Sequence, residues 1–147
     1  MSNDLTAIRL DQFYPHPPAT LWRALTEPEL IARWLMPVEG LRLEVGCSYL
    51  MRGTPMPSTG FSGTVAAEVL AVEPEKILRI GWRDANQQAP GDFIITWRLE
   101  PEGTGTRLFI EHEGFDPNNP AHQRSHDIMT SGWVRIHQQL GAVLDTF

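Results

Sequence analysis

The 147-residue chain has a single cysteine, Cys47, so no intramolecular disulfide can brace it and its thiol content does not require an oxidising compartment. Positive charge is also scarce: 12 Lys and Arg stand against 18 Asp and Glu, for a formal net charge of -6. The basic residues are scattered, which argues against a nucleic-acid partner, because phosphate-backbone binding is driven by grouped cations that release counterions. No stretch approaches the roughly 18 consecutive apolar residues of a membrane span. The first thirty residues carry Asp4 and Asp11 and no sustained apolar run, so neither a signal peptide nor a transit peptide is expected, and the protein is expected to be soluble and cytoplasmic. There is no Gly-rich phosphate loop and no nucleophile elbow, so no cofactor is called for. Repeats and low-complexity tracts are absent as well.

What the chain does contain is β-type alternation punctuated by 12 Pro and 12 Gly. Its length suits one domain, expected to span residues 1–147. Leu5 to Tyr14 alternates with Ile8, Leu10 and Tyr14 on one face. The Pro15-His16-Pro17-Pro18 cluster ends it and leads into a short helix through Trp22 and Leu25. Thr26 with Glu29 three residues on has the form of a capping box for a second helix that Pro37 stops. Leu41, Leu43, Val45 and Cys47 alternate next and are expected to form a hairpin with Tyr49 to Arg52. After a loop from Gly53 to Gly60 come four runs: Phe61 to Val72, Ile77 to Arg83, Phe93 to Glu100 and Thr106 to Glu113. Pro74, the Asn86 to Gly91 segment and Pro101-Glu102-Gly103 carry turn chemistry.

From Asn119 to Phe147 the period changes to that of a helix. Asn119 suits the N-cap and Pro120 the first helical position. Met129, Trp133, Ile136, Leu140, Val143/Leu144 and Phe147 form an apolar stripe. Gly132 and Gly141 interrupt this helix, for close packing or to leave room for a ligand. The order is β-αα-β6-α, an α+β fold of seven mainly antiparallel strands, since the connections are too short for parallel crossovers.

Several strings in this order resemble the START-related (SRPBCC) helix-grip superfamily, and within it the branch named after the activator of heat-shock-protein ATPase. They are PATLWRALT at residues 18–26, EPELIARW at 27–34, GTVAAEVLAVEP at 63–74, WRLEPEGTGTRL at 97–108, HEGF at 112–115, and Gly132-Trp133. The resemblance implies a START-like, birch-pollen-allergen-like fold: a curved sheet wrapped around a long C-terminal helix, with a cavity between them. Relatives of this fold include lipid carriers, hormone receptors, aromatic polyketide cyclases, RNases and cochaperone domains, so the fold does not choose the function.

Trp34, Met51, Met56, Phe61, Trp82, Trp97, Phe115, Met129 and Trp133 are the candidates to line such a cavity. Large rigid indoles and adaptable thioethers suit an apolar ligand, although the same residues also fill ordinary cores. Among polar groups, His112 has the inward phase of its strand. His122 and His126 lie one helical turn apart near the Met129 and Trp133 face, and the three histidines could converge at the cavity mouth. A metal is not predicted, because the His-x3-His spacing lacks the central Glu of the metalloprotease motif. Glu113 and Asp116 are assigned to solvent and turn formation, and Cys47 to packing.

The expected function is binding of a small hydrophobic or aromatic molecule with no defined reaction, His112 and His126 supplying polar contacts. One alternative is a cyclase-like or hydrolase-like enzyme using His112 or His126 for proton transfer. The other is an interaction module with a chaperone partner.

Overall fold

Period-two alternation in the sequence becomes an antiparallel ladder. The computed structural model describes residues 5–56, 61–86 and 92–147. Positions 57–60 of the expected Gly53 to Gly60 loop and 87–91 of the Asn86 to Gly91 turn lie outside them. The elements run β1 (Ala7–Tyr14), α1 (Pro18–Thr26), α2 (Pro28–Trp34), β2 (Val38–Glu39), β3 (Ser48–Arg52), β4 (Thr64–Glu73), β5 (Ile77–Asp84), β6 (Phe93–Glu102), β7 (Gly105–Glu113) and α3 (Pro120–Leu144). The strands form one seven-stranded sheet in the order β1-β7-β6-β5-β4-β3-β2, every neighbouring pair antiparallel. This is the α+β helix-grip arrangement expected, with two small helices inserted after the first strand.

Directly paired residues share a face, so the register defines what the sheet turns toward α3. One inner row runs Ile8, His112, Ile95, Ile80 and Val69; the next runs Leu10, Ile110, Trp97, Leu78 and Val72. Phe93, Trp82, Ala67 and Tyr49 form a third row toward the end of the sheet where α3 begins. A register shift between Val69 and Ala71 leaves Leu70 as a bulge. Bulges of this kind sharpen local twist and help a sheet curve around a helix.

The boundaries of α3 follow local chemistry. The Asn119 side chain accepts from the backbone N–H groups of Ala121 and His122, and Pro120 occupies the first turn, where its missing N–H has no consequence. The helix ends at Leu144, so Phe147 does not extend the buried stripe as expected. It is 48% exposed and lies under the Arg23 guanidinium, 5.1 Å from its ring.

Two further expectations are corrected. Thr26 does not cap α2. It ends α1, its hydroxyl donating to the Trp22 carbonyl at 2.7 Å, while Glu27 is the N-cap without a side-chain hydrogen bond. Pro28 explains the one-residue displacement, because a proline pushes the residue before it out of the helical region, and Glu27 has φ -85° and ψ 120°. The Leu41 to Cys47 alternation is not a strand either. Left-handed Gly40 and Gly46, with φ of +83° and +93°, turn the segment back on itself. Leu43 and Val45 consequently point outward, 41% and 69% exposed. The strand paired with β3 is the short Val38–Glu39. Cys47 is buried, as expected of a packing residue, its thiol within 3.3 Å of the Gly40 carbonyl.

The two helix glycines differ. A Cβ on Gly141 would meet the Tyr14 ring at 3.3 Å, whereas one on Gly132 would meet nothing within 4 Å. Gly132→Ala is therefore expected to raise unfolding stability by up to about 1 kcal/mol. Gly141→Ala should gain less or lose stability, as measured by urea denaturation of both variants.

Candidate ligand site

The inner face of α3 carries Trp133, His137, Leu140, Val143 and Leu144 fully buried, with Met129 and Ile136 packed partly buried beside them. His137 was not singled out in the sequence. It sits one turn after Trp133 and shares its face, so spacing alone could have found it, but its polarity hid it within an apolar stripe.

Trp133, 0% exposed, divides the interior into two groups of rings. On the side of α1 and α2, the His137 ring is stacked between Trp34 and Trp133, at 6.3 and 5.6 Å with interplanar angles of 26° and 22°. Its Nε2 accepts from the Trp97 indole N–H at 3.3 Å, and the ring also donates to the Trp133 backbone. The Trp34 indole donates to the Ala24 carbonyl at 2.8 Å and the Tyr14 hydroxyl to the His137 carbonyl at 2.7 Å. Every polar group of this cluster has a partner, as a structural core requires.

The other group lies toward the start of α3. His112, 1% exposed, accepts at Nδ1 from the Trp133 indole N–H at 2.9 Å. That bond fixes the tautomer, because a neutral imidazole accepting at one nitrogen carries its proton on the other. The proton-bearing Nε2 is buried and has no hydrogen-bond partner among the described residues. Around the His112 ring stand Phe93 at 4.9 Å, Phe115 at 4.8 Å, Trp133 at 6.0 Å and Trp82 at 6.5 Å, measured between ring centroids. The result is an aromatic box holding one polar atom.

The other histidines serve the frame of this box. His126 donates from Nε2 to the Ala7 carbonyl at 2.9 Å, tying α3 to β1, and its ring meets Phe115 at 5.1 Å. His122 accepts at Nδ1 from the Asp116 backbone N–H at 2.8 Å. The Asp116 carboxylate accepts from Asn118 N–H and shapes the turn, the role expected of it. No three His, Cys, Asp or Glu among the described residues are grouped to hold a metal ion.

The sequence-derived set is thus brought to one interior but not to one point. Trp82, His112, Phe115 and Trp133 meet at the box, His126 adjoins it through Phe115, and Met129 is partly buried against the core. Trp34 and Trp97 belong to the His137 cluster. Met51 is buried on β3, and Met56 and Phe61 form an isolated bridge ahead of β4. Phe93 belongs to the box but is not among the cavity candidates of the sequence, which places it only at the start of a strand run. Around the box, Trp82 and Phe93 remain partly exposed.

The space between sheet and helix is occupied largely by these rings. Depressions of about 460, 230, 120 and 390 Å³ mark the described surface, and none is lined by His112 or Trp133. That of about 460 Å³ runs along Leu50, Ala66, Gly81, Arg83 and Ile94 and is also bordered by Trp82 and Phe93. No described helix is long and apolar enough to cross a membrane.

Fold and interior define a helix-grip domain with an aromatic core. The chain belongs to the family described as Activator of Hsp90 ATPase homolog 1-like protein, which matches residues 15–145. Protein MLL2253 of Mesorhizobium loti is similar at 33% identity over 95% of this chain and 97% of that one, with a TM-score of 0.82. Protein CV1439 of Chromobacterium violaceum is similar at 28% identity over 95% and 96%, with a TM-score of 0.73. CalU16 of Micromonospora echinospora is similar at 26% identity over 94% and 75%, with a TM-score of 0.74. The curated proteins contain no match.

Burial holds the pKa of His112 down to about 3, helped by neighbouring His126, and burial holds that of His137 down to about 4. Both rings are therefore neutral in the folded protein at pH 7, while an unfolded chain titrates them near 6.5. Between these values the unfolded state binds more protons, so stability is fully present above about pH 6.5 and is lost as pH falls toward 4 and then 3. Urea midpoints measured from pH 8 to pH 4 should decline below pH 6.5. The His112→Gln variant should show a shallower decline, by at most about 1.4 kcal/mol per pH unit.

Proposed function

We propose that the protein binds a small hydrophobic or aromatic molecule between the curved sheet and α3, at the end where the helix begins, without a defined reaction of its own. The observation that carries this reading is the half-satisfied His112. Of two equally buried histidines, His137 uses both of its nitrogens within the protein and His112 uses one. Leaving a buried donor unmatched costs about 1–3 kcal/mol, a cost that a ligand acceptor would relieve.

A ligand would enter by displacing the partly exposed rings of Trp82 and Phe93 together with Met129, whose thioether adapts to different shapes. Affinity would come from apolar surface removed from water, at about 25 cal/mol per Å² before ordering costs are subtracted. Proton transfer at His112 is disfavoured. Its lone pair is held by Trp133, and burial makes the imidazole a weak base. A heat-shock ATPase partner rests on the family name alone and is the weaker reading.

The five tryptophans supply the test, since each indole N–H gives its own NMR signal. Titration with the neutral apolar probe N-phenyl-1-naphthylamine should shift the Trp82 and Trp133 signals saturably and leave Trp22 unmoved. Shifts confined to other positions, or no saturable change, would remove the proposed site.

A further inference from the structure

We infer that His112 is a specificity-determining residue that presents Nε2–H as a buried hydrogen-bond donor, so that the molecule taken into the aromatic box is flat, neutral and carries an acceptor oxygen at its inserted end. This rests on the binding reading above and adds to it the chemical class of the ligand.

The tautomer is not free to adapt. The Trp133 indole nitrogen can only donate, so at 2.9 Å it commits His112 Nδ1 to accepting and Nε2 to carrying the proton. Trp133 is itself locked, fully buried and stacked on His137, so the pair cannot rotate to exchange roles without dismantling the interior. Phe93, Phe115 and Trp82 surround the ring with groups that contribute no conventional acceptor. The perpendicular Phe93 ring, at 82° to the imidazole, supplies at most a weak contact through its π face.

An inserted group must meet three conditions. It must stack among aromatic rings, which selects planarity. It must accept a hydrogen bond from a neutral N–H, which selects an inserted end that carries an oxygen lone pair, such as a carbonyl, over a plain hydrocarbon or a donor-only group such as an indole N–H. It must enter uncharged, because the rings described around the imidazole, Trp82, Phe93, Phe115 and Trp133, carry no charge and an unpaired buried charge is heavily penalised. A carboxylate at the inserted end is therefore rejected, although the protruding end of the molecule is unrestricted.

The experiment compares 2-acetylnaphthalene with 2-isopropenylnaphthalene, which share a shape and differ by a carbonyl oxygen in place of a methylene. Binding is read from quenching of tryptophan fluorescence and from the indole N–H signals. Wild-type protein should favour the ketone by about fivefold or more, the value of one well-placed hydrogen bond. His112→Gln, whose amide can accept from Trp133 and still donate, should keep that preference. His112→Leu should bind the two probes equally. Should H112L fail to fold, the imidazole Nε2–H resonance of the wild-type protein decides, moving downfield with the ketone and not with the hydrocarbon. Equal affinity of the wild type for both probes, with Trp82 and Trp133 still shifting, would overturn the donor assignment and leave the binding site standing. Failure of both probes to bind would overturn the site itself.

Discussion

The hydrogen bond from the Trp133 indole to His112 joins the middle of α3 to the inner face of β7, and the interior is arranged around it. Burying an indole requires a partner for its N–H, and burying an imidazole requires partners for two nitrogens. Trp133 satisfies its own need and half of that of His112. The same residue, by stacking on His137, also anchors the second cluster, in which Trp97 and the Trp133 backbone complete the hydrogen bonding of His137. One side chain thereby connects a closed polar network to an open one. The division between structural support and candidate binding chemistry runs through it.

This arrangement relates stability to function. A core of interlocking rings holds α3 against the sheet, yet Trp82 and Phe93, toward the start of α3, are left partly exposed. A site built this way offers no ready-made hollow. On the proposed reading it would trade side-chain packing for ligand packing, so an accepted molecule would have to replace the contacts that Trp82 and Phe93 give up. Few polar atoms would guide that exchange, which gives the His112 N–H, unmatched among the described residues, its weight in the proposed orientation. Membership of the family fixes the scaffold and leaves this local chemistry to the individual chain, as expected where one fold serves many sites.

Much of the fold was legible because strong local signals coincided. The runs that form β4 to β7 and the inward phase of His112 are legible from alternation alone, and Asn119-Pro120 marks the helix start. The misreadings occurred where one signal overrode another. Leu41, Leu43 and Val45 alternate like a strand, but Gly40 and Gly46 turn the backbone before any partner strand is reached. Thr26 and Glu29 resemble a capping box, but Pro28 moves the break to Glu27. Of the candidate site, the aromatic members were visible by type, whereas His137 and Phe93 were passed over and the three histidines could not be told apart by spacing.

The sequence by itself determined the order of elements, the inward face of most strands and the apolar stripe of the last helix, because these depend on periodicities of two and of about 3.6 residues that are local to each segment. Only the tertiary structure decided which histidine nitrogens are engaged. Hydrogen bonds from Trp133 to His112 and from Trp97 to His137 span 21 and 40 residues of chain. Such distant pairings, and the burial that raises their importance, arise only when sheet and helix close on each other, and no local pattern encodes them.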